Sequence, residues 1–534
     1  MNQIVQEIEN LLLYGEKELQ RTIEDKMVAR NQLYELLQVE PEEAVGEEKP
    51  LQDILDVLTG YAVEEGIAEE GSEKRFETRL MSYITPSQGE FLKEFKHVYD
   101  RRGPLKATEY FYNVSIKSDY VKMNDIKKNI RWYADGPKGR IAITINLSKP
   151  EKDPKQVLAE KAFTGKKYPK CLLCLENLGF CGTVIHPARQ TLRVVPVTLN
   201  GESWHMQYSP YLYFDEHCIV FNDKHVPMKI TKDTLKRLVD FGNFLPNYFI
   251  GSNADLPIVG GSILSHDHYQ GGRRVLPMFY TKERKIYEQK DGIEVSIRDW
   301  YNSVVTIKGK DKAAVAERAG KILEAWNTYD DPSVGILSKT GEEQHSTVTP
   351  IAHRTRAGEY CLDLILRNNR TDEKHPFGIF HPTEDMHNIK KESIGLIEAM
   401  GLFILPGRLK KELSELMIEL QKEKPDVKRI FDDPVLSKHS TLLIQAMADF
   451  GTGLDEDAAR EAILAKVNDV CFKILECTAV FKNTEEGQAA FDRFMRTLID
   501  GEPPVIKKKY PTKKQREKAA AQNAQKANAG NVQE

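Results

Sequence analysis

The sequence lacks any apolar run long enough to cross a bilayer; none reaches the ~18 residues that a spanning helix needs. It lacks a charge bias as well. Lys plus Arg number 76 and Asp plus Glu 80, a formal net charge of −4, so no general force draws the chain to nucleic acid or to an anionic membrane. Cysteine is scarce. The seven cysteines are an odd number, and one Cys-x-x-Cys is their sole close pairing. That argues against a disulfide framework and for thiols or metal ligands in a reducing, cytoplasmic setting. The opening stretch MNQIVQEIENLLLYGEKELQ carries acids within its apolar face and has no small-residue cleavage site, so it does not read as a signal peptide. Apolar residues, by contrast, are ample at 40% of 534. A chain of this length holds roughly three or four domains' worth of core.

Periodicity divides the chain. Residues 1–130 read as mainly helical, with Ile4, Ile8, Leu11 and Leu12 on one face and further helices in LQDILDVLTGYAV and GEFLKEFKHVYDRR. AVGEEKP, 44–50, reads as a surface loop. Near Gly139 the period changes. RIAITINL alternates as a half-buried strand, and TLRVVPVTLNGESWHMQY predicts a hairpin around Asn200-Gly201. HCIVFN is a strand, TKDTLKRLVDFGNF a helix capped by Thr231, and NYFIGS a strand. A second α+β unit over 285–386 contains the strand SVVTI, a helix from Lys312 to Trp326 and a hairpin around Ala357-Gly358. The expected fold is therefore α+β, with two such units, over 131–284 and 285–386, built on antiparallel sheets. Helical segments flank them at 1–130 and 387–504. No clear internal repeat is visible. Residues 505–534 are rich in Lys, Ala and Gln with almost no large apolar side chains, a composition that predicts a disordered basic tail. Such a run can touch RNA or anionic lipid, but a solvated tail is the simpler expectation.

SHDHYQGG, 265–272, is the most informative stretch. On a strand, alternate side chains share a face roughly 7 Å apart. His266, His268 and Gln270 would then line one surface, with Asp267 and Tyr269 on the other. Gly271 and Gly272 let a backbone or ligand approach closely. Three readings compete: hydrogen-bonded structural side chains, a metal site, and nucleophilic catalysis by a neutral imidazole with Gln270 donating to a phosphoryl oxygen. The last two coexist if the histidines divide the work. Cys171 and Cys174 of YPKCLLCLEN, His225 of FNDKH and His266 would make a closed Cys2His2 tetrahedral set, structural in role and suited to zinc. That set would fix the strand presenting His268.

These motifs carry a resemblance. CLLC, FNDKH and SHDHYQGG, with ITINLSKPEKDP, SNADLPIVGGSILSHDHYQGG, PIAHRTRAGEYCLDLILRNN and FHPTEDMHNIKKESIGLIEAMG, resemble the UDP-glucose–hexose-1-phosphate uridylyltransferases. This is the galactose-1-phosphate uridylyltransferase family of the histidine triad superfamily, and the match is to its second, longer class. It spans about 110–490. The resemblance implies histidine-triad-like folds for the two α+β units, the first of them catalytic. It implies His268 as the uridylylated nucleophile, Gln270 as the phosphoryl-binding glutamine, and Asn253, Gly261 and Ser262 as contacts of the nucleotide phosphates. It also implies zinc on Cys171, Cys174, His225 and His266. Asp267 stands where the first class has proline, which makes the local backbone less rigid. No residue of ESIGLIEAMG is assigned as a hexose ligand, so the hexose pocket is inferred from membership alone.

The implied reaction is a double displacement moving UMP from UDP-glucose to galactose 1-phosphate. The expected partners are these two substrates, with neither nucleic acid nor membrane, and a homodimer remains an open option. A backbone carbonyl near His266 is expected to hold the second ring nitrogen of His268 as N–H, fixing its tautomer. Two alternatives stand beside this reading. One is a nucleotide hydrolase or dinucleotide phosphorylase of the same superfamily. The other is a non-enzymatic zinc-binding interaction protein.

Overall fold

The structure, a computed structural model, describes residues 3–148, 168–261, 263–273 and 275–500. Ser262 and the tail 505–534 lie outside the described residues. The chain opens with helices at Gln3–Leu19, Ile23–Leu37, Leu51–Glu64 and Glu73–Ile84, which enclose a core of their own. Ile4, Ile8, Leu11 and Leu12, the predicted face, are all buried there. Each contributes about 1.5–3 kcal/mol of apolar burial.

Among the described residues fifteen strands follow. β1 (Ile130–Ala134), β2 (Ile141–Asn146) and β15 (Leu402–Pro406) form a three-stranded sheet. Ten others form one continuous antiparallel sheet. They are β3 (Val195–Leu199), β4 (Glu202–Tyr208), β5 (Cys218–Asn222), β6 (Phe249–Gly251), β7 (His268–Gly272), β8 (Glu283–Lys290), β9 (Ile293–Arg298), β10 (Val304–Gly309), β13 (Ser346–Arg354) and β14 (Tyr360–Asn368). Their spatial order is β3-β4-β5-β7-β6-β13-β14-β10-β9-β8. A small ladder of β11 (Lys339–Thr340) and β12 (Glu343–Gln344) stands apart. β6 and β13 are neighbours in the ten-stranded sheet, with Ile351 paired to Gly251.

Local signals explain several elements. Asn200 and Gly201 both take positive φ (49° and 78°) at the β3–β4 turn, as a two-residue hairpin requires. Thr231 caps Lys232–Phe244 with a reciprocal box to Thr234. The helix Lys312–Trp326 spans the predicted bounds and starts on Asp311, which accepts from two backbone amides. One expectation needs correction. β2 is buried along its whole length instead of on alternate residues. It is the middle strand of its sheet and pairs in parallel with β15, and a strand covered on both faces loses the alternating pattern.

The large sheet has a core on each face. Tyr269, Ile250, Val348, Leu364 and Leu366 belong to one; Phe249, Phe214, Ile351 and Ile365 to the other. The second also holds β2, β15 and the helices Leu409–Gln421 and Glu456–Thr478. Between β9 and β14 sits a buried ion pair. Asp363 is fully buried, accepts from Arg298 Nη2 at 3.0 Å and Thr306 Oγ1 at 2.5 Å, and lies 3.4 Å from His353 Nε2. Burial pushes its carboxyl up, but Arg298, His353 and Thr306 outweigh that and hold it well below the usual range.

A carboxyl held down in the folded state stabilises above its unfolded pKa of about 3.9 and loses that contribution as the pH falls below it. Asp363→Asn would strand the Arg298 guanidinium and should cost about 3–5 kcal/mol near pH 7. Chemical denaturation at pH 7 and pH 3 should show the deficit shrinking at the lower pH. A deficit equal at both would mean that the pair contributes nothing through charge.

Candidate active site and metal cluster

β7 begins at His268, against Phe221 of β5. Tyr269 turns into the first core and stacks on Trp204 at 4.7 Å, with Arg237 over the Trp204 ring. Alternation therefore sends His268 and Gln270 to the opposite face. Close approach requires the glycines that follow. A Cβ on Gly272 would lie 2.6 Å from Phe214.

His266 departs from the expected strand triplet. It precedes β7, in a turn closed by its own N–H on the Ile263 carbonyl (3.3 Å). Backbone bonds at Asp267, to Val226 (2.7 Å) and from Asn222 (3.0 Å), tie the next residue to the β5 exit. The His266 ring consequently faces a different group. Its Nδ1 lies 3.2 Å from Cys171 Sγ and 3.8 Å from Cys174 Sγ, and Cys174 Sγ lies 3.2 Å from His225 Nδ1. The two sulfurs are 3.6 Å apart. These are separations expected between ligand atoms sharing one tetrahedral ion. The His266 Nε2–H donates to the Asn222 carbonyl at 2.8 Å, which leaves Nδ1 as its ligand atom. The four side chains therefore form a set that could hold a metal ion.

The His266 carbonyl has a second use. It accepts from His268 Nδ1 at 2.8 Å. A carbonyl can only accept, so Nδ1 carries the proton and Nε2 keeps its lone pair. This is the contact that the sequence led us to expect. Burial pushes the His268 imidazole down to about 4, so the ring is neutral near pH 7.

Gln270 is oriented by a residue that sequence reasoning missed. His217 Nε2 donates to Gln270 Oε1 at 3.1 Å. The amide oxygen is thereby engaged, and the NH2 group remains a donor toward the face of His268. His217 is buried between Tyr213 and Phe214, and burial pushes it down to about 4. Its position just before β5, two residues from the Ile219 that pairs with Gln270, becomes meaningful only once the strand register is known.

The loop after β6 leaves a strand that pairs with β7. Asn253 is buried, and its Oδ1 accepts from Leu396 N–H at 2.8 Å. Its side chain occupies the space where a Cβ on Gly261 would stand, 2.3 Å from Nδ2. Ile258 and Ile263 hold positive φ (71° and 60°), uncommon strain for a β-branched residue and a frequent companion of functional loops. The structure thus brings Asn253 and Gly261 together one strand away from His268; Ser262 is not described. Glu398, in the stretch left without a hexose ligand, is buried beside the same loop and paired with Lys390 at 2.9 Å.

The N-terminal-domain profile of the galactose-1-phosphate uridyl transferase family matches residues 19–227, and its C-terminal-domain profile matches residues 242–432. The chain belongs to this family. It is 45% identical to the galactose-1-phosphate uridylyltransferase of Fusobacterium nucleatum over 503 residues, covering 92% of this chain and 98% of that protein. Identity is 43% to the Bacillus subtilis protein of that name (94% and 99% covered) and 42% to that of Caldanaerobacter subterraneus subsp. tengcongensis (92% and 97%). No solved structure matches.

A second grouping, His353, Cys361 and Asp363, also brings potential ligand atoms within 4.8 Å of one another. There Arg298 already neutralises Asp363. The Cys171/Cys174/His225/His266 group has no such built-in cation among the described residues. Changing Cys171 and Cys174 together to serine should therefore abolish metal retention and lower the melting temperature. Elemental analysis of the double variant checks this; full retention would contradict the ligand set.

Proposed function

We propose that the chain is a galactose-1-phosphate uridylyltransferase, carrying UMP from UDP-glucose to galactose 1-phosphate through a covalent uridylyl-His268. The observation that carries this reading is the hydrogen bond from His268 Nδ1 to the His266 carbonyl, which leaves Nε2 as the nucleophile. Nε2 attacks the α-phosphorus of UDP-glucose. The bond from that phosphorus to the bridging oxygen breaks, and glucose 1-phosphate departs with the electron pair. A phosphate whose second pKa is near 6 needs little protonation to leave. Galactose 1-phosphate then attacks with an anionic oxygen and needs no base. UDP-galactose forms, and Nε2 recovers its lone pair while Nδ1–H stays on the carbonyl.

Gln270 donates its amide N–H to a non-bridging oxygen as charge gathers there, with His217 holding the amide in that orientation. Asn253, Gly261 and Ser262 are assigned to the nucleotide phosphates. Cys171, Cys174, His225 and His266 are assigned to one structural zinc. Two thiolates and two imidazoles suit that ion. Zinc would supply rigidity and no chemical step. The free thiols fit a reducing, cytoplasmic setting. A purely zinc-binding interaction protein would leave the His268–Gln270 pair without a use, and a hydrolase would have to free the uridylyl group in water with no sugar phosphate present.

Mass spectrometry after mixing with UDP-glucose should show one uridylyl group on His268 and release of glucose 1-phosphate. The adduct should persist until galactose 1-phosphate is added. In Gln270→Ala turnover should fall roughly 10²–10³-fold, the scale of one preorganised donor. Full-rate exchange by a protein that never carries the adduct would overturn the double displacement, and rapid decay to UMP without sugar phosphate would favour hydrolysis.

A further inference from the structure

Several buried donors without a protein partner lie to one side of His268. The sheet register locates them. Gln270 pairs with Gly251, and Gly251 with Ile351. The Ser252 N–H continues that ladder to the Pro350 carbonyl at 3.0 Å, so Asn253 falls between His268 and Thr349. On the next strand Thr349 pairs with Ile365, and Thr347 with Arg367. Thr349 is in step with Ile351, and Arg367 with Ile365, both members of the core on the face that carries His268. Thr349 and Arg367 accordingly point to that face, two and three strands from the nucleophile. That is about 10 and 15 Å between backbones, a gap shortened by the long arginine side chain.

Arg367 is 1% exposed. Its Nη2 donates to the Ile394 carbonyl at 2.8 Å. Among the described residues Nε and Nη1 have no partner, nor does the Thr349 hydroxyl, which is equally buried. Glu398, whose charge reaches Arg367, is ion-paired with Lys390 at 2.9 Å. Burial pushes the guanidinium down to about 10, which leaves it cationic near neutral pH. An unpaired buried cation is costly, and proteins keep one where a ligand supplies the counter-charge. Arginine is suited to phosphate in particular, because its fixed, weakly hydrated donors meet several oxygens. Ile394 also opens the turn whose Leu396 N–H binds Asn253, so the guanidinium is joined to the loop beside His268 by consecutive backbone contacts.

We propose that Arg367 and Thr349 form the phosphate end of the sugar 1-phosphate subsite, donating to the phosphate monoester that leaves, or attacks, at His268. The proposal rests on the uridylyl-transfer reading, which supplies that ligand. The α-phosphorus is held at Nε2 and Gln270, and the adjoining phosphate of the substrate lies toward Asn253, Thr349 and Arg367.

The test is calorimetric titration of the full chain and of Arg367→Met with galactose 1-phosphate, galactose, inorganic phosphate and UMP, alongside melting temperatures without ligand. Arg367→Met should weaken galactose 1-phosphate about 10–100-fold, the scale of a charged hydrogen bond, and leave UMP affinity within about twofold. Its ligand-free melting temperature should be unchanged or higher, because Glu398, the carboxylate whose charge reaches Arg367, is already ion-paired with Lys390. Wild-type affinity for galactose 1-phosphate in this variant would overturn the proposal. So would a variant that loses inorganic phosphate alone, which would mark an independent anion site. If Arg367→Met does not fold, the near-isosteric Thr349→Val decides. It should weaken galactose 1-phosphate about 3–10-fold, and unchanged affinity would refute the subsite. Adduct formation from UDP-glucose is measured separately. Arginine-dependent sugar phosphate binding without any adduct would sink the double displacement and leave the subsite standing.

Discussion

One hydrogen bond, from the Nδ1–H of His268 to the carbonyl of His266, joins the Cys171/Cys174/His225/His266 group to His268. His266 makes three engagements at once. Its Nδ1 belongs to the Cys171/Cys174/His225 group, its Nε2–H is held by the Asn222 carbonyl, and its own carbonyl sets the His268 tautomer. The ring nitrogen of His268 that keeps its lone pair is therefore chosen by backbone geometry. That geometry is held by the turn closed on Ile263 and by the β5 exit through Asp267. Asp267 in place of proline does not leave this segment loose, because both its N–H and its carbonyl are bound.

A second constraint operates across the sheet. Because β7 alternates, placing Tyr269 in one core obliges His268 and Gln270 to face the other. The adjoining strands then decide what meets them. β5 brings His217 to Gln270, and β6 leads into the loop of Asn253, while Thr349 on β13 and Arg367 on β14 face the same side of the sheet. That face runs on from β6 to β13 within one sheet.

The parts readable in the sequence were those specified locally. The Asn200-Gly201 turn, the Thr231 cap and the bounds of Lys312–Trp326 depend on neighbours a few residues away. Cys171, Cys174, His225 and His266 could be grouped because cysteine and histidine in such spacing have few other uses. The rest depends on pairings with no local signature. β2 and β15 pair in parallel across more than half the described chain, and β2 looked like an ordinary half-buried strand. His217 and Arg367 gain meaning through tertiary contacts: a lone histidine before a strand and an arginine near the end of one are unremarkable until they hydrogen-bond Gln270 and the Ile394 carbonyl. His266 was expected on the strand with His268, but the tie of Asp267 to Val226 ends the ladder first.

The tautomer of His268 is the claim on which the rest turns, and nitrogen-15 NMR of the histidine rings in the ligand-free protein reads it directly. The account predicts that between pH 6 and 8 His268 shows a protonated Nδ1 and an unprotonated Nε2, with the Nδ1 proton protected from exchange. An Nε2–H tautomer, or an imidazolium at pH 7, would contradict it, because neither leaves a lone pair on the nitrogen that must attack phosphorus.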